Sequence, residues 1–156
     1  MKTYKILLAA LLVCLCFATV LSGCGKQAQP EENGFVQMGN PLVEVASAAE
    51  MEKQLGYAVP LLDKDVEVYI VLVINGVADQ GRIQYADGSC FNIQKGSGDI
   101  SGIYGGSVEK TENVSGVSVT FLTFEEIRYA IWEQGGFTYS LTGGQTLEKD
   151  VAALIG

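Results

Sequence analysis

Histidine is absent from the 156 residues, and that absence removes whole classes of chemistry. No Ser-His-Asp or Cys-His nucleophile pair can be assembled. No His-ligated zinc, copper or haem site can form. What remains is 18 acidic side chains, four cysteines and a set of aromatics. Asp63 and Asp65 flank Lys64, while Asp79, Asp87 and Asp99 fall in or near turn-forming stretches. Calcium demands roughly six to eight oxygens from a rigid loop, and no Asp-x-Asp-x-Asp-Gly run supplies them. These acids read as solvated turn residues, although a pair about 5–9 Å apart would suit glycoside hydrolysis. Gly96 to Gly102 reads Gly-Ser-Gly-Asp-Ile-Ser-Gly but lacks the Gly-Lys-Ser/Thr and helix of a phosphate-binding loop. No residue set points to a metal or a cofactor. Tyr85, Phe91, Tyr104, Tyr129, Trp132, Phe137 and Tyr139 crowd the second half of the chain. Tyr85, Tyr104, Tyr129, Trp132, Phe137 and Tyr139 are candidates to line an apolar or aromatic groove for a peptide, glycan or lipid; ordinary cross-strand core packing would use the same residues.

The amino terminus carries a different kind of chemistry. Lys2 and Lys5 precede an uncharged run, Ile6 to Leu21, of 16 residues. A membrane-spanning helix needs roughly 20. Leu21-Ser22-Gly23-Cys24 closes the run. This segment resembles the lipobox of bacterial lipoproteins, and the resemblance implies cleavage after Gly23 with diacylglycerol, and palmitate-type acylation, on Cys24. An uncleaved anchor with a chance cysteine is the alternative. Residues 1–23 are thus expected to be a signal peptide. The protein would then sit on the extracytoplasmic face of the cell membrane, held by its lipid. Cleavage leaves 8 basic against 18 acidic side chains, a net charge of −10. That balance is repelled by anionic headgroups and disfavours nucleic acid. Cys14 and Cys16 leave with the signal, so Cys90 remains as a lone thiol expected to act as a small buried hydrophobe.

Residues 24–39 are polar, contain Pro30 and show no periodicity, as expected of a flexible tether. A folded domain is expected over 40–156. Leu42-Val43-Glu44-Val45 is a short apolar entry strand or extended lead-in. Ser47 and Glu50 form a capping box before Ala48, Met51 and Leu55, and Gly56 with Pro60 ends the helix. Val66 to Ile74 is an apolar, β-branched strand, and Asn75-Gly76 is a strong hairpin turn. Val77 to Tyr85 follows, with a bulge expected at Asp79-Gln80-Gly81. Asp87-Gly88 turns into Ser89 to Gln94, and the Gly/Ser-rich Lys95 to Gly106 reads as a mobile loop suited to act as a lid. Ser107–Glu112 and Val117–Thr123 pair, as do Ile127–Gln134 and Phe137–Leu141 across Gly135-Gly136. A helix over Leu147 to Ile155, capped by Thr146, ends the chain. The expected class is α+β: an antiparallel meander of about five to seven strands, with an N-terminal and a C-terminal helix packed on one face.

Four segments carry a wider resemblance: Asn40–Pro60, Ile83-Gln84-Tyr85-Ala86-Asp87-Gly88, Asp99-Ile100-Ser101-Gly102-Ile103-Tyr104 and Ala130–Leu141. They resemble an uncharacterised domain of Gram-positive lipoproteins and anti-sigma-factor-like extracytoplasmic proteins. The resemblance implies the fold and transfers no catalytic residue. Leu61-Leu62-Asp63-Lys64-Asp65 departs from that family's proline-rich segment, and Thr123–Arg128 lacks its small loop. Three readings of function follow. The first is a non-enzymatic, membrane-anchored module that binds an envelope protein or a small ligand. The second is a carboxylate-dependent hydrolase of envelope polymers. The third is a structural or inhibitory interaction module.

Overall fold

The computed structural model describes residues 40–156; Cys24 and the segments expected to be a signal peptide and a tether lie outside the described residues. Eight strands and two helices follow in the order β1 Leu42–Val45, α1 Ala48–Leu55, β2 Val66–Ile74, β3 Val77–Tyr85 and β4 Cys90–Lys95, then β5 Ser107–Val114, β6 Val117–Phe124, β7 Ile127–Gln134, β8 Phe137–Gly143 and α2 Leu147–Ile155. All eight strands join one antiparallel sheet, so the class is α+β with the sheet dominant. The expected five to seven strands undercount it. The lead-in Leu42–Val45 is a true edge strand, in register with Tyr69 to Leu72 of β2.

The sheet order is β1-β2-β3-β4-β8-β7-β6-β5, which is not one continuous meander. Two four-stranded meanders meet at a seam where Phe91 of β4 faces Leu141 of β8 and Ile93 faces Tyr139. The chain reaches the far edge first, at β5, and then walks back to the centre. The Gly/Ser-rich segment is therefore a long crossover between two distant strands.

Local chemistry accounts for the elements. Ser47 Oγ accepts from Glu50 N at 3.2 Å and Glu50 Oε2 accepts from Ala46 N at 2.9 Å, a reciprocal cap that starts α1. Gly56, at φ +78°, ends it, its N–H donating to Glu52 O. Asn75 and Gly76 both take positive φ, matching the twist of the β2–β3 hairpin. The bulge falls at Asp79, which is skipped between the Leu72–Gln80 and Val73–Ala78 pairs. Thr146 does not cap α2 with its side chain; its hydroxyl donates to Asp150 Oδ2 at 2.7 Å.

Both helices lie on the same face of the sheet. Antiparallel registration places Gly81, Ile83, Phe91, Ile93, Leu141, Ala130, Trp132, Val119 and Phe121 on that face. Met51 of α1 and Leu147 and Val151 of α2 join them in one buried cluster. Gly81 is needed for close approach, since a methyl there would stand 2.9 Å from Leu55 Cδ1 and 3.1 Å from Met51 Sδ. The segment between α1 and β2 is pinned over the core: Leu62 N donates to Tyr85 Oη, and Lys64 Nζ reaches Asp87 at 2.8 Å and Asp150 of α2 at 2.6 Å.

Candidate functional site

Among the described residues, no helix lies on the sheet's second face. β3 presents Gln80, Arg82 and Gln84 there, β4 presents Cys90, Asn92 and Gln94, and β8 presents Thr138, Ser140 and Thr142. An uncovered face of this composition would be hydrated, yet Asn92, Thr138 and Ser140 are at most 1% exposed. The crossover covers them. Gly96 O accepts from Thr138 Oγ1 at 2.7 Å, and Gly96 N donates to Gly136 O at 2.9 Å. Ile100 and Ser101 are buried, and Gly106 packs so closely on Tyr129 that a methyl there would overlap its hydroxyl. The expected mobile flap is thus a fitted strap in this structure, and it covers the polar face, not an aromatic groove.

Beneath the strap the polar groups form a satisfied network. Asn92 Oδ1 accepts from Gln80 Nε2 at 3.0 Å and from Arg82 Nε at 2.8 Å, while Asn92 Nδ2 donates to Ser140 Oγ at 3.0 Å. No buried side-chain nitrogen or oxygen among the described residues lacks a partner, as a low-dielectric interior requires. Asn92 therefore fixes the plane of the Arg82 guanidinium.

Arg82 also lies in a cleft of about 520 Å³ beside the strap. Cys90 and Thr142 share its lining, Ser101, Gly102 and Ile103 come from the strap, and Ser89 and Ile127 from neighbouring strand ends. The volume falls in the range of small-molecule sites. Two donors there are uncommitted among the described residues. The terminal nitrogens of Arg82 meet no protein acceptor, since its one side-chain bond is through Nε. Ser101 Oγ accepts from Ile103 N at 3.1 Å, and its O–H donates to no protein group. The other arginine of the domain, Arg128, is bound by carboxylates of Glu109 and Glu148 at 3.0 and 2.8 Å.

Electrostatics around the cleft are orderly. Asp87, on its rim, is held at about 2, first by the Lys64 ammonium and then by Ser89, so its charge is already matched. Burial pushes the Cys90 thiol up, with Arg82 pulling weakly the other way, which keeps it protonated at neutral pH. Cys90 is free and half-buried.

The six aromatics expected to share a groove do not. Tyr85 and Trp132 are 0% and 2% exposed and, with the partly buried Phe137 and Tyr139, belong to the core beneath the helices. Trp132 stacks on Tyr139 with centroids 5.3 Å apart. Tyr129 is buried on the opposite face, and Tyr104 is 89% exposed on the strap, next in sequence to Ile103 of the cleft. Three of the turn acids have partners of their own: Asp79 accepts from Gln94, Asp99 from Ser101 N, and Asp87 from Ser89 and from Lys64, whose ammonium it shares with Asp150. Among the described residues no three acidic or cysteine side chains come together as metal ligands would. Sequence reasoning passed over Arg82 and Asn92. The available signal was the alternation Gln80-Gly81-Arg82-Ile83-Gln84, which puts a cation in the polar row of a central strand.

Comparison of the chain with protein-family profiles, with curated proteins and with solved structures finds no match.

Proposed function

We propose that this chain is a lipid-anchored, extracytoplasmic binding module that takes up a small ligand in the Arg82 cleft and performs no chemistry on it. One observation carries the binding part. A guanidinium oriented by a buried asparagine, with its outer nitrogens uncommitted, sits in a cleft of ligand size. The uncharged run ending in Leu21-Ser22-Gly23-Cys24 supports the anchor, and the resemblance to the lipoprotein domain supports the setting. Cys24 carries the lipid in this reading, and the acidic domain stands off the membrane on its tether. A ligand-sensing or accessory role at the envelope fits such a module better than hydrolysis, because the acids near the cleft are already matched by Lys64 and serine groups.

The test has two arms on the full chain expressed in a lipoprotein-processing bacterium. Radioactive palmitate should label the wild type and not Cys24→Ser; equal labelling, or none in either, refutes the anchor. Native mass spectrometry of the purified wild type should retain a small molecule that Arg82→Met loses. Turnover of peptidoglycan fragments by the purified protein would replace the binding reading with the hydrolase.

A further inference from the structure

We infer that the Arg82 cleft selects small organic monocarboxylates, an inference that rests on the binding role proposed above. The donor set defines the ligand's charge. Arg82 offers terminal nitrogens in the planar fork that pairs with a carboxylate through two parallel hydrogen bonds. Ser101, 7% exposed, adds an O–H with no acceptor of its own. The remaining hydroxyl donors of the lining are occupied internally: Ser89 Oγ donates to Asp87 at 2.6 Å, and Thr142 Oγ1 donates to Cys90 O at 3.4 Å while accepting from Cys90 N at 3.0 Å. One unpaired cation therefore meets one unit of negative charge. A phosphate dianion would bring a second charge with no cation to match it, close to Asp87 on the rim.

The walls define the rest of the ligand. Ile103 and Ile127 give apolar surface for a short carbon chain. Gly102 brings strap backbone close to the guanidinium, and a Cβ built there stands 3.9 Å from Arg82 Nη2. That approach supplies the decisive variant. Gly102 has φ +73°, a conformation that Asn and Asp tolerate better than other side chains. Gly102→Asp would place a carboxylate of the protein's own beside Arg82, occupying the site. Gly102→Asn has the same shape without the charge.

The probes are butyrate, butyramide and inorganic phosphate, titrated into the detergent-solubilised full chain. The readout is the NMR shift of the Arg82 Nε–H and of the Ile103 and Ile127 methyl groups. Butyrate should give saturable shifts at all three, and butyramide should bind at least about tenfold more weakly, the scale of losing a charge-assisted hydrogen bond. Gly102→Asp should weaken butyrate by about tenfold or more, with Gly102→Asn within about threefold of the wild type. Equal binding of butyrate and butyramide would overturn the carboxylate selection while leaving a ligand cleft in place. Phosphate binding as tightly as butyrate would overturn it in favour of a dianion site. No shift at the cleft with any probe would overturn both this inference and the binding role.

Discussion

Lys64→Met removes an ammonium that ties three separate segments together while keeping most of the side chain's length. Lys64 belongs to the chain between α1 and β2, Asp87 to the β3–β4 turn and Asp150 to α2. The two carboxylates are not equivalent. The Asp87 side chain is 49% exposed and keeps its bonds from Ser89, so losing Lys64 there costs at most about 1 kcal/mol. The Asp150 side chain is 10% exposed and retains only the Thr146 hydroxyl, so a nearly buried charge is left without a counter-ion. Orphaning a fully buried partner costs about 3–5 kcal/mol, and the residual exposure of this one brings the figure to about 2 kcal/mol. The sum is about 3 kcal/mol. With an unfolding entropy of about 2.1 cal/mol/K per residue over residues 40–156, that loss lowers Tm by about 12 °C in thermal unfolding followed by circular dichroism. Lys64→Met/Asp150→Asn should regain about half of it, because the orphaned charge is gone. The pH dependence has a defined sign. The Asp87 carboxyl is depressed to about 2, so its contribution is complete above about pH 4 and is lost as pH falls toward 2. Lys64→Met should flatten the stability curve in that window. A Tm loss under about 2 °C, or a double variant less stable than the single one, refutes the reasoning.

Gly106→Ala should destabilise by about 1–3 kcal/mol, because its methyl group overlaps the Tyr129 hydroxyl and Tyr129 is 1% exposed with no room to withdraw. Tyr129→Phe in the same chain should return part of that loss, and an additive loss on thermal melting would show that the strap does not pack on Tyr129. Trp132 should be shielded from acrylamide several-fold better than in the unfolded chain, since it is 2% exposed and stacked on Tyr139. Quenching at the unfolded rate would return the aromatics to an open groove.

Elements with local causes were readable from the residues alone. The bounds of α1, β2, β3 and β7 coincide with the expected ones, because caps and two-residue turns are decided by neighbours in sequence; those of α2 coincide too, although the expected Thr146 side-chain cap does not form. The partnership of β4 with β8 was not readable, since both strands alternate in the same way and either could have paired elsewhere. The aromatics show a second limit. Trp132 and Tyr139 have the composition of a ligand groove, and what makes them core is that α1 and α2 cover their face. Arg82 shows a third. Its meaning depends on Asn92, ten positions away, holding one nitrogen and on strap residues Ser101 to Ile103 that line the same cleft.

The seam between β4 and β8 governs the order in which this molecule can be completed. A ribosome releases β4 well before β8, so the nascent sheet carries a raw hydrogen-bonding edge at what will become its centre. Until the final strand arrives, that edge is open to any other extended chain, and the first half has nothing to close against. A chain cut short before Phe137 would lose its middle, not its margin, and an unfinished copy is the form most prone to aggregate.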